Sequence, residues 1–179
     1  VAGGLLTRAG TEVAHTLLEQ IAAGTAVVAL ADGPGITARA DGDGWVLSGS
    51  AAVVTDAPLA THLLIAADTG RGTGLFLTEF DAAAPPAGLT VHGYRTIDDR
   101  RAADLELDGV RVAAPLVEDA TAELDRARDE AAAAVCAEAV GGMRKVLADT
   151  VEYCKQRQQF GQPIGSFQVL QHRMVDMSI

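Results

Sequence analysis

The apolar positions of this chain change period twice, and the changes divide its 179 residues into three stretches. Up to Gly24, residues Val13, Leu17, Leu18 and Ile21 recur at helical spacing behind Thr11, whose hydroxyl suits a helix N-cap. This predicts one amphipathic helix over residues 1–24. From Thr25 to Val117 the pattern becomes short apolar runs separated by Gly, Pro and Asp. Strands are expected at Thr25–Ala31, Ile36–Ala40, Trp45–Leu47, Val53–Val54, His62–Ala67, Gly74–Glu79, Leu89–Tyr94 and Ala103–Leu107. Asp41-Gly42-Asp43-Gly44 reads as a hairpin turn and Asp108-Gly109 as a second, because Gly accepts the positive φ that such turns need. Many short strands without helices between them predict an antiparallel sandwich or barrel over residues 25–117.

Near residue 118 the period returns to that of a helix. A long helix is expected from Thr121, with Leu124, Ala131, Val135, Met143, Val146 and Leu147 on its buried side. Gly141-Gly142 interrupts its propensity and predicts close packing against a neighbour. Phe160-Gly161 and Pro163 end it, and Ser166 is the expected N-cap of a second helix from Phe167. The whole is an α+β chain: a helix, a middle β domain, and residues 118–179 as part of a helical-bundle domain. Two helices leave apolar surface that a bundle covers with others, so the chain reads as an excerpt or as one completed by partners.

Composition narrows the function. Hydrophobic residues make up 49% of the chain but aromatics only 4%, so the core must be built from Ala, Val and Leu. With 14 Lys and Arg against 24 Asp and Glu, the net charge is −10, which argues against nucleic-acid binding and attraction to anionic membranes. No apolar run is long enough to span a membrane, and no basic-then-apolar leader opens the chain; a cytoplasmic protein is expected. Cys136 and Cys154 fall on one predicted helix, roughly 27 Å apart at ~1.5 Å per residue, too far for a disulfide. They read as small buried or half-buried apolar groups, and no metal-ligand spacing involves either.

The chemistry concentrates between Tyr153 and Gln168. Arg157 carries a planar, permanently charged fork suited to a pyrophosphate, and Phe160 offers a face to an aromatic base. Gln159 and Gln168 both donate and accept, and the helix start near Ser166 adds free N–H groups. On residue types alone the stretch is either a nucleotide site or a helix-turn-helix corner with solvated polar residues.

Tyr153-x-x-x-Arg157-x-x-Phe160-Gly161, followed by Pro163-Ile164, Phe167-Gln168 and His172-Arg173-Met174-Val175-Asp176-Met177, resembles the acyl-CoA dehydrogenase signature. In that family the segment reaches across a dimer interface to the neighbouring subunit's FAD. The resemblance implies that Arg157 contacts the pyrophosphate and that Gln159 and Gln168 hydrogen-bond the cofactor. Phe160 and Phe167 would pack at the same site. Leu124-Asp125-Arg126-Ala127-Arg128 resembles the opening of the same domain, which makes Asp125 and Arg128 substrate-side candidates; an ordinary solvated ion pair is the competing reading. Trp45-Val-Leu-Ser-Gly49 with Val53-Val54-Thr55-Asp56-Ala57 resembles the family's flavin-facing strands and places Thr55 near the ring. Leu107 to Val112 resembles the strand leading out of that domain. On this reading residues 1–24 are the last helix of an N-terminal helical domain.

The departures from the pattern cluster. The loop Ala31-Asp32-Gly33-Pro34-Gly35 is several residues shorter than the family's, Val53 replaces a flavin-stacking Trp, and Ala127 stands where some members carry the base. The reaction needs a carboxylate to take the α-proton of an acyl-CoA thioester while hydride leaves for the flavin. Glu123, Glu130 and Glu138 are undistinguished, so no catalytic residue is assigned. The implied protein is an FAD-dependent acyl-CoA dehydrogenase of fatty-acid or steroid degradation. It would be an oligomer, a dimer of dimers, passing electrons to a transfer acceptor. This chain is then a non-catalytic subunit completing an FAD site across an interface, as in heteromeric steroid side-chain enzymes. The alternatives are a homo-oligomeric enzyme whose Glu lies beyond this chain and a free-standing β-domain binding protein.

Overall fold

A computed structural model describes all 179 residues. They form two compact units, Val1–Arg128 and Asp129–Ile179. The first unit opens with two helices rather than the single one expected, α1 (Ala2–Ala9) and α2 (Glu12–Ala22). Gly10 is the cause: it takes φ 63° and returns its N–H to the Leu6 carbonyl, which closes α1. Thr11 then starts α2 as its sequence position implies, its Oγ1 accepting from the Ala14 N–H at 3.2 Å.

The eight strand candidates resolve into six strands, β1 (Val28–Asp41), β2 (Gly44–Thr55), β3 (His62–Asp68), β4 (Thr73–Glu79), β5 (Leu89–Arg95) and β6 (Arg101–Val112). Gly33-Pro34-Gly35 does not break β1. It bulges, and pairing with β3 resumes at Thr37–Asp68. The expected turn at Gly42-Asp43 forms, joining Asp41 to Gly44. The one expected at Asp108-Gly109 does not. Gly109, at φ 73°, is the extra residue of a bulge between the pairs Leu47–Val110 and Ser48–Asp108. An Asp-Gly pair suits either geometry, and only the partner strand decides between them.

The sheet order is β4-β3-β1-β2-β6-β5, with β4 and β5 as its edge strands. The outer side of β4 is met by the segment after β6, Leu75 donating to the Val117 carbonyl at 2.9 Å and accepting from the Leu116 N–H at 2.7 Å. The closed barrel and the purely antiparallel pairing expected from the sequence are therefore corrected to an open mixed sheet. After β2 the chain passes through a 3-10 turn (Ala57–Leu59) and returns on the far side of β1, which sets β3 parallel to it. Strand β3 is buried on both faces. Leu63, Ile65 and Ala67 join the core that holds Leu47, Phe76 and Leu105, whereas Leu64 and Ala66 pack with Leu5, Leu6, Leu17, Leu124 and Ala127. This explains its continuous apolar run. Each fully buried Leu contributes about 1.5–3 kcal/mol by leaving water.

Helix α3 (Thr121–Gln156) is followed by the two-residue strands β7 (Gln158–Gln159) and β8 (Gln162–Pro163). A 3-10 turn (Ile164–Ser166) and α4 (Gln168–Asp176) complete the chain. Past residue 128 the only buried side chain is Cys154. Val135, Met143 and Val146, expected to be buried, are 63%, 62% and 65% exposed. Ala131 and Leu147 are half-buried. The physical reason is length: nine residues of α4 cannot cover a 36-residue helix. Gly141 and Gly142 likewise meet no neighbour, since an added Cβ has nothing within 4 Å. Cys136 is exposed rather than buried. Phe167, not Ser166, occupies the N-cap of α4, because the Ser166 hydroxyl is turned to the Pro163 carbonyl at 2.6 Å. No helix is long and apolar enough to cross a membrane.

Candidate functional site

The last turn of α3 runs directly into a small hairpin. The Arg157 N–H still donates to the Tyr153 carbonyl at 2.9 Å, while its own carbonyl already accepts from the Ile164 N–H at 2.8 Å. Gln158 pairs with Pro163 and Gln159 with Gln162, so only Phe160 and Gly161 lie in the turn. Their φ values are 54° and 77°, both left-handed, as a two-residue type I′ hairpin requires. Gly161 adopts this freely. Phe160 does not, and a non-glycine residue there costs on the order of 1–3 kcal/mol.

The strained Phe160 is also 91% exposed. Its ring meets Phe167 edge-on, with centroids 6.1 Å apart and planes at 83°. Arg157, Gln159 and Gln168 are exposed, and the Arg157 guanidinium engages no carboxylate. Gln159 donates to the Gln158 carbonyl at 2.9 Å, which leaves its side-chain oxygen available. The structure thus gathers Arg157, Gln159, Phe160, Phe167 and Gln168 at one corner: a free guanidinium, two amides and an aromatic pair. Chemically, the guanidinium can take an anion, the amides polar edges and the exposed ring a flat apolar surface.

Thr55 ends β2 in the other unit, exposed and paired with Ala102 of β6. Just before it, Val53 takes φ 54°, an outlier for a β-branched residue, where Ala52 and Val53 face the single residue Asp104. The Asp104 carboxylate accepts from the Val53 N–H and from the Tyr94 hydroxyl, both at 2.8 Å. These bonds, the amide first, hold its pKa below the usual carboxylate range. Nothing local in the sequence marks Asp104 for this part, because its partner lies 51 residues away.

Asp125 and Arg128 do pair, Nη1 to Oδ1 at 2.7 Å, one turn apart on α3. Arg128 also grips a residue that sequence reasoning missed as its partner. Its Nη2 donates to both Asp32 oxygens at 3.0 and 2.9 Å, and its Nε to Oδ2 at 3.2 Å. The Asp32 bonds come first among the causes that raise the Arg128 pKa. Asp32 begins the short Gly33–Gly35 bulge, which lies flat on β2. A Cβ on Gly33 would stand 2.6 Å from the Ser50 carbonyl oxygen, and one on Gly49 2.0 Å from that of Gly35. Glu123, Glu130 and Glu138 all lie on α3, the first half-buried and the others exposed. No group of three His, Cys, Asp or Glu side chains is placed to hold a metal ion.

Residues 118–179 match the family model described as acyl-CoA dehydrogenase, C-terminal domain. Acyl-CoA dehydrogenase IpdE2 of Mycobacterium tuberculosis is 53% identical over 51 residues, 28% of this chain and 16% of that protein. A glutaryl-CoA dehydrogenase from Mycobacterium smegmatis, solved in complex with FADH2, superimposes with a TM-score of 0.87 at 27% identity. The match covers 99% of this chain and 50% of that one. The ChsE4-ChsE5 complex from Mycobacterium tuberculosis gives 0.84 at 28% identity, over 97% of this chain and 48% of that one. The chain therefore has an acyl-CoA dehydrogenase-like fold of mixed helix and sheet. Its C-terminal segment is that of the acyl-CoA dehydrogenase family, as its signature residues indicate. The chain spans about half the length of the solved chains it matches, and less of the curated relatives.

Proposed function

We propose that this chain serves an FAD-dependent acyl-CoA dehydrogenase and completes an FAD site across a subunit interface. In that assignment residues 1–24, with α1 and α2, are the end of an N-terminal helical domain, 25–117 the middle domain and 118–179 the start of the C-terminal domain. The observation that carries it is the Arg157–Gln168 corner, which holds an unpaired guanidinium and an exposed aromatic on a hairpin of defined geometry. Arg157 would hold the pyrophosphate, Gln159 and Gln168 the polar edges, and Phe160 with Phe167 a ring. Bound FAD supplies the acceptor for the hydride that leaves the thioester β-carbon. The residues of this chain bind and orient; none is assigned the α-proton.

The same chain offers little to a flavin of its own. Its Gly33–Gly35 segment is pressed onto β2, Asp32 is bound to Arg128, and Val53 has no aromatic face. Signature groups kept in the second unit, with the flavin-side positions of the first reduced in this way, favour a non-catalytic subunit of a heteromeric dehydrogenase. A chain of the ChsE4-ChsE5 complex, an assembly of two differently named chains, shares this fold and supports the reading. On this reading the protein is cytoplasmic, takes acyl-CoA together with its partner and delivers electrons to a transfer acceptor. Asp125 and Thr55 remain candidates for contacts to substrate and flavin in a second arrangement, a homo-oligomer whose base lies elsewhere in the full protein.

Expression of the full-length protein with and without its partner decides between these. The heteromeric reading expects little flavin and no acyl-CoA oxidation for the protein alone, and one FAD per pair of unlike chains in the complex. A homo-oligomer that binds FAD in every subunit and oxidises acyl-CoA would overturn it in favour of the second arrangement.

A further inference from the structure

The corner that carries Arg157 and Phe160 has almost no buried side chain to hold it, so something else must fix its angle to α3. Two contacts converge on Gly165, in the 3-10 turn between the hairpin and α4. One is a close approach: a Cβ on Gly165 would stand 3.0 Å from the Cys154 carbonyl oxygen and 3.2 Å from its carbon. Cys154 is the single buried side chain of this unit, so the turn is seated where the unit is most tightly packed. The other contact comes from α4. Gln171, one turn into that helix, reaches back over six residues and donates Nε2–H to the Gly165 carbonyl at 2.9 Å. Ser166 bonds only its own turn, through Pro163, and does not tie the turn to either helix.

We propose that Gln171 is a positioning residue for the corner: its amide holds Gly165 against the Cys154 carbonyl and so sets the direction in which the hairpin presents Arg157 and Phe160. The assignment rests on the FAD reading above and deepens it. Gln171 touches no cofactor itself; it acts through the Gly165 carbonyl. The consequence is specific. Because Gln171 is exposed, losing its hydrogen bond does little to folding, while an error of direction at the hairpin is felt fully by a ligand bound at its tip.

The test uses the full-length protein in its native assembly, stripped of flavin and titrated with FAD while flavin fluorescence is followed. Gln171→Met keeps the shape and removes the donor; Gln171→Lys keeps a donor of similar reach. Gln171→Met is expected to weaken FAD binding roughly three- to tenfold, the worth of one neutral hydrogen bond, with Tm of the flavin-free protein unchanged. Gln171→Lys is expected to restore most of the loss. Gly165→Ala, which forces the turn off the Cys154 carbonyl, is expected to weaken binding as well. Unchanged FAD affinity in Gln171→Met, or a fall matched by a lower flavin-free Tm and not rescued by Lys, overturns the proposal and leaves the FAD reading intact. A wild-type assembly that takes up no FAD overturns both.

Discussion

The Val53 amide donates to the Asp104 carboxylate at 2.8 Å, across a bulge in which two residues of β2 face one of β6. The same carboxylate takes the Tyr94 hydroxyl, so one ionised group holds two donors and a strained backbone together. The pKa of Asp104 is lowered in the fold, first by the Val53 amide and then by the Tyr94 hydroxyl. A group with a depressed folded pKa stabilises above its unfolded value, about 3.9, and loses that contribution as pH falls through the folded value. Asp104→Asn is therefore expected to lower the urea midpoint around neutral pH, and the gap to wild type should close below about pH 4. A gap that stays constant with pH would contradict the role of the ionised carboxylate.

Val53 is β-branched, sits at φ 54° and is 56% exposed as a residue. Little packing is lost by removing that side chain, whereas the backbone strain disappears. Val53→Gly should raise the stability of the protein by about 1 kcal/mol despite the added freedom of the unfolded chain. A lower midpoint in denaturant would mean that the valine side chain, not the backbone, matters there.

The glycines divide sharply by surroundings. Gly49 has φ 131° and a Cβ there would overlap the Gly35 carbonyl, while Gly141 has open space around it within α3. Gly49→Ala is expected to cost more than about 3 kcal/mol or to abolish folding, because two backbones must part. Gly141→Ala is expected to stabilise by up to about 1 kcal/mol through helix propensity alone. Equal effects in thermal unfolding would show that the close approach of β1 to β2 at Gly49 is wrong.

Legibility followed the range of the interaction. The period change near residue 118, the Thr11 cap and the Gly42-Asp43 hairpin are set within a few residues, and all could be read from the chain. The bulges at Gly33–Gly35, Val53 and Gly109 depend on a partner strand. From the sequence Gly33–Gly35 looked like a break and Asp108-Gly109 like a turn, while Val53 read as an ordinary strand residue; β1 and β2 were each split into two candidates. The parallel β1–β3 pair and the open edges are matters of topology that spacing does not encode. At the corner, the signature residues were visible as a motif, but the left-handed Phe160 was not. Asp32 was visible only as part of a short loop; its grip on Arg128 spans 96 residues and has no local signal. The exposed face of α3 shows the opposite failure, an apolar pattern that predicts burial for which α4 is too short.

The central claim is that Arg157 holds the pyrophosphate of FAD, and the flavin content of the purified native assembly tests it most directly. Arg157 is exposed and its guanidinium engages no carboxylate, so its truncation should leave folding unchanged. Losing charge-assisted hydrogen bonds of about 1.5–3 kcal/mol corresponds to an affinity loss of roughly 10- to 150-fold. Arg157→Ala is expected to yield a folded assembly of wild-type size and unchanged flavin-free Tm, with its bound FAD largely lost at micromolar protein. The same assembly carrying FAD at the wild-type ratio and affinity would contradict the claim.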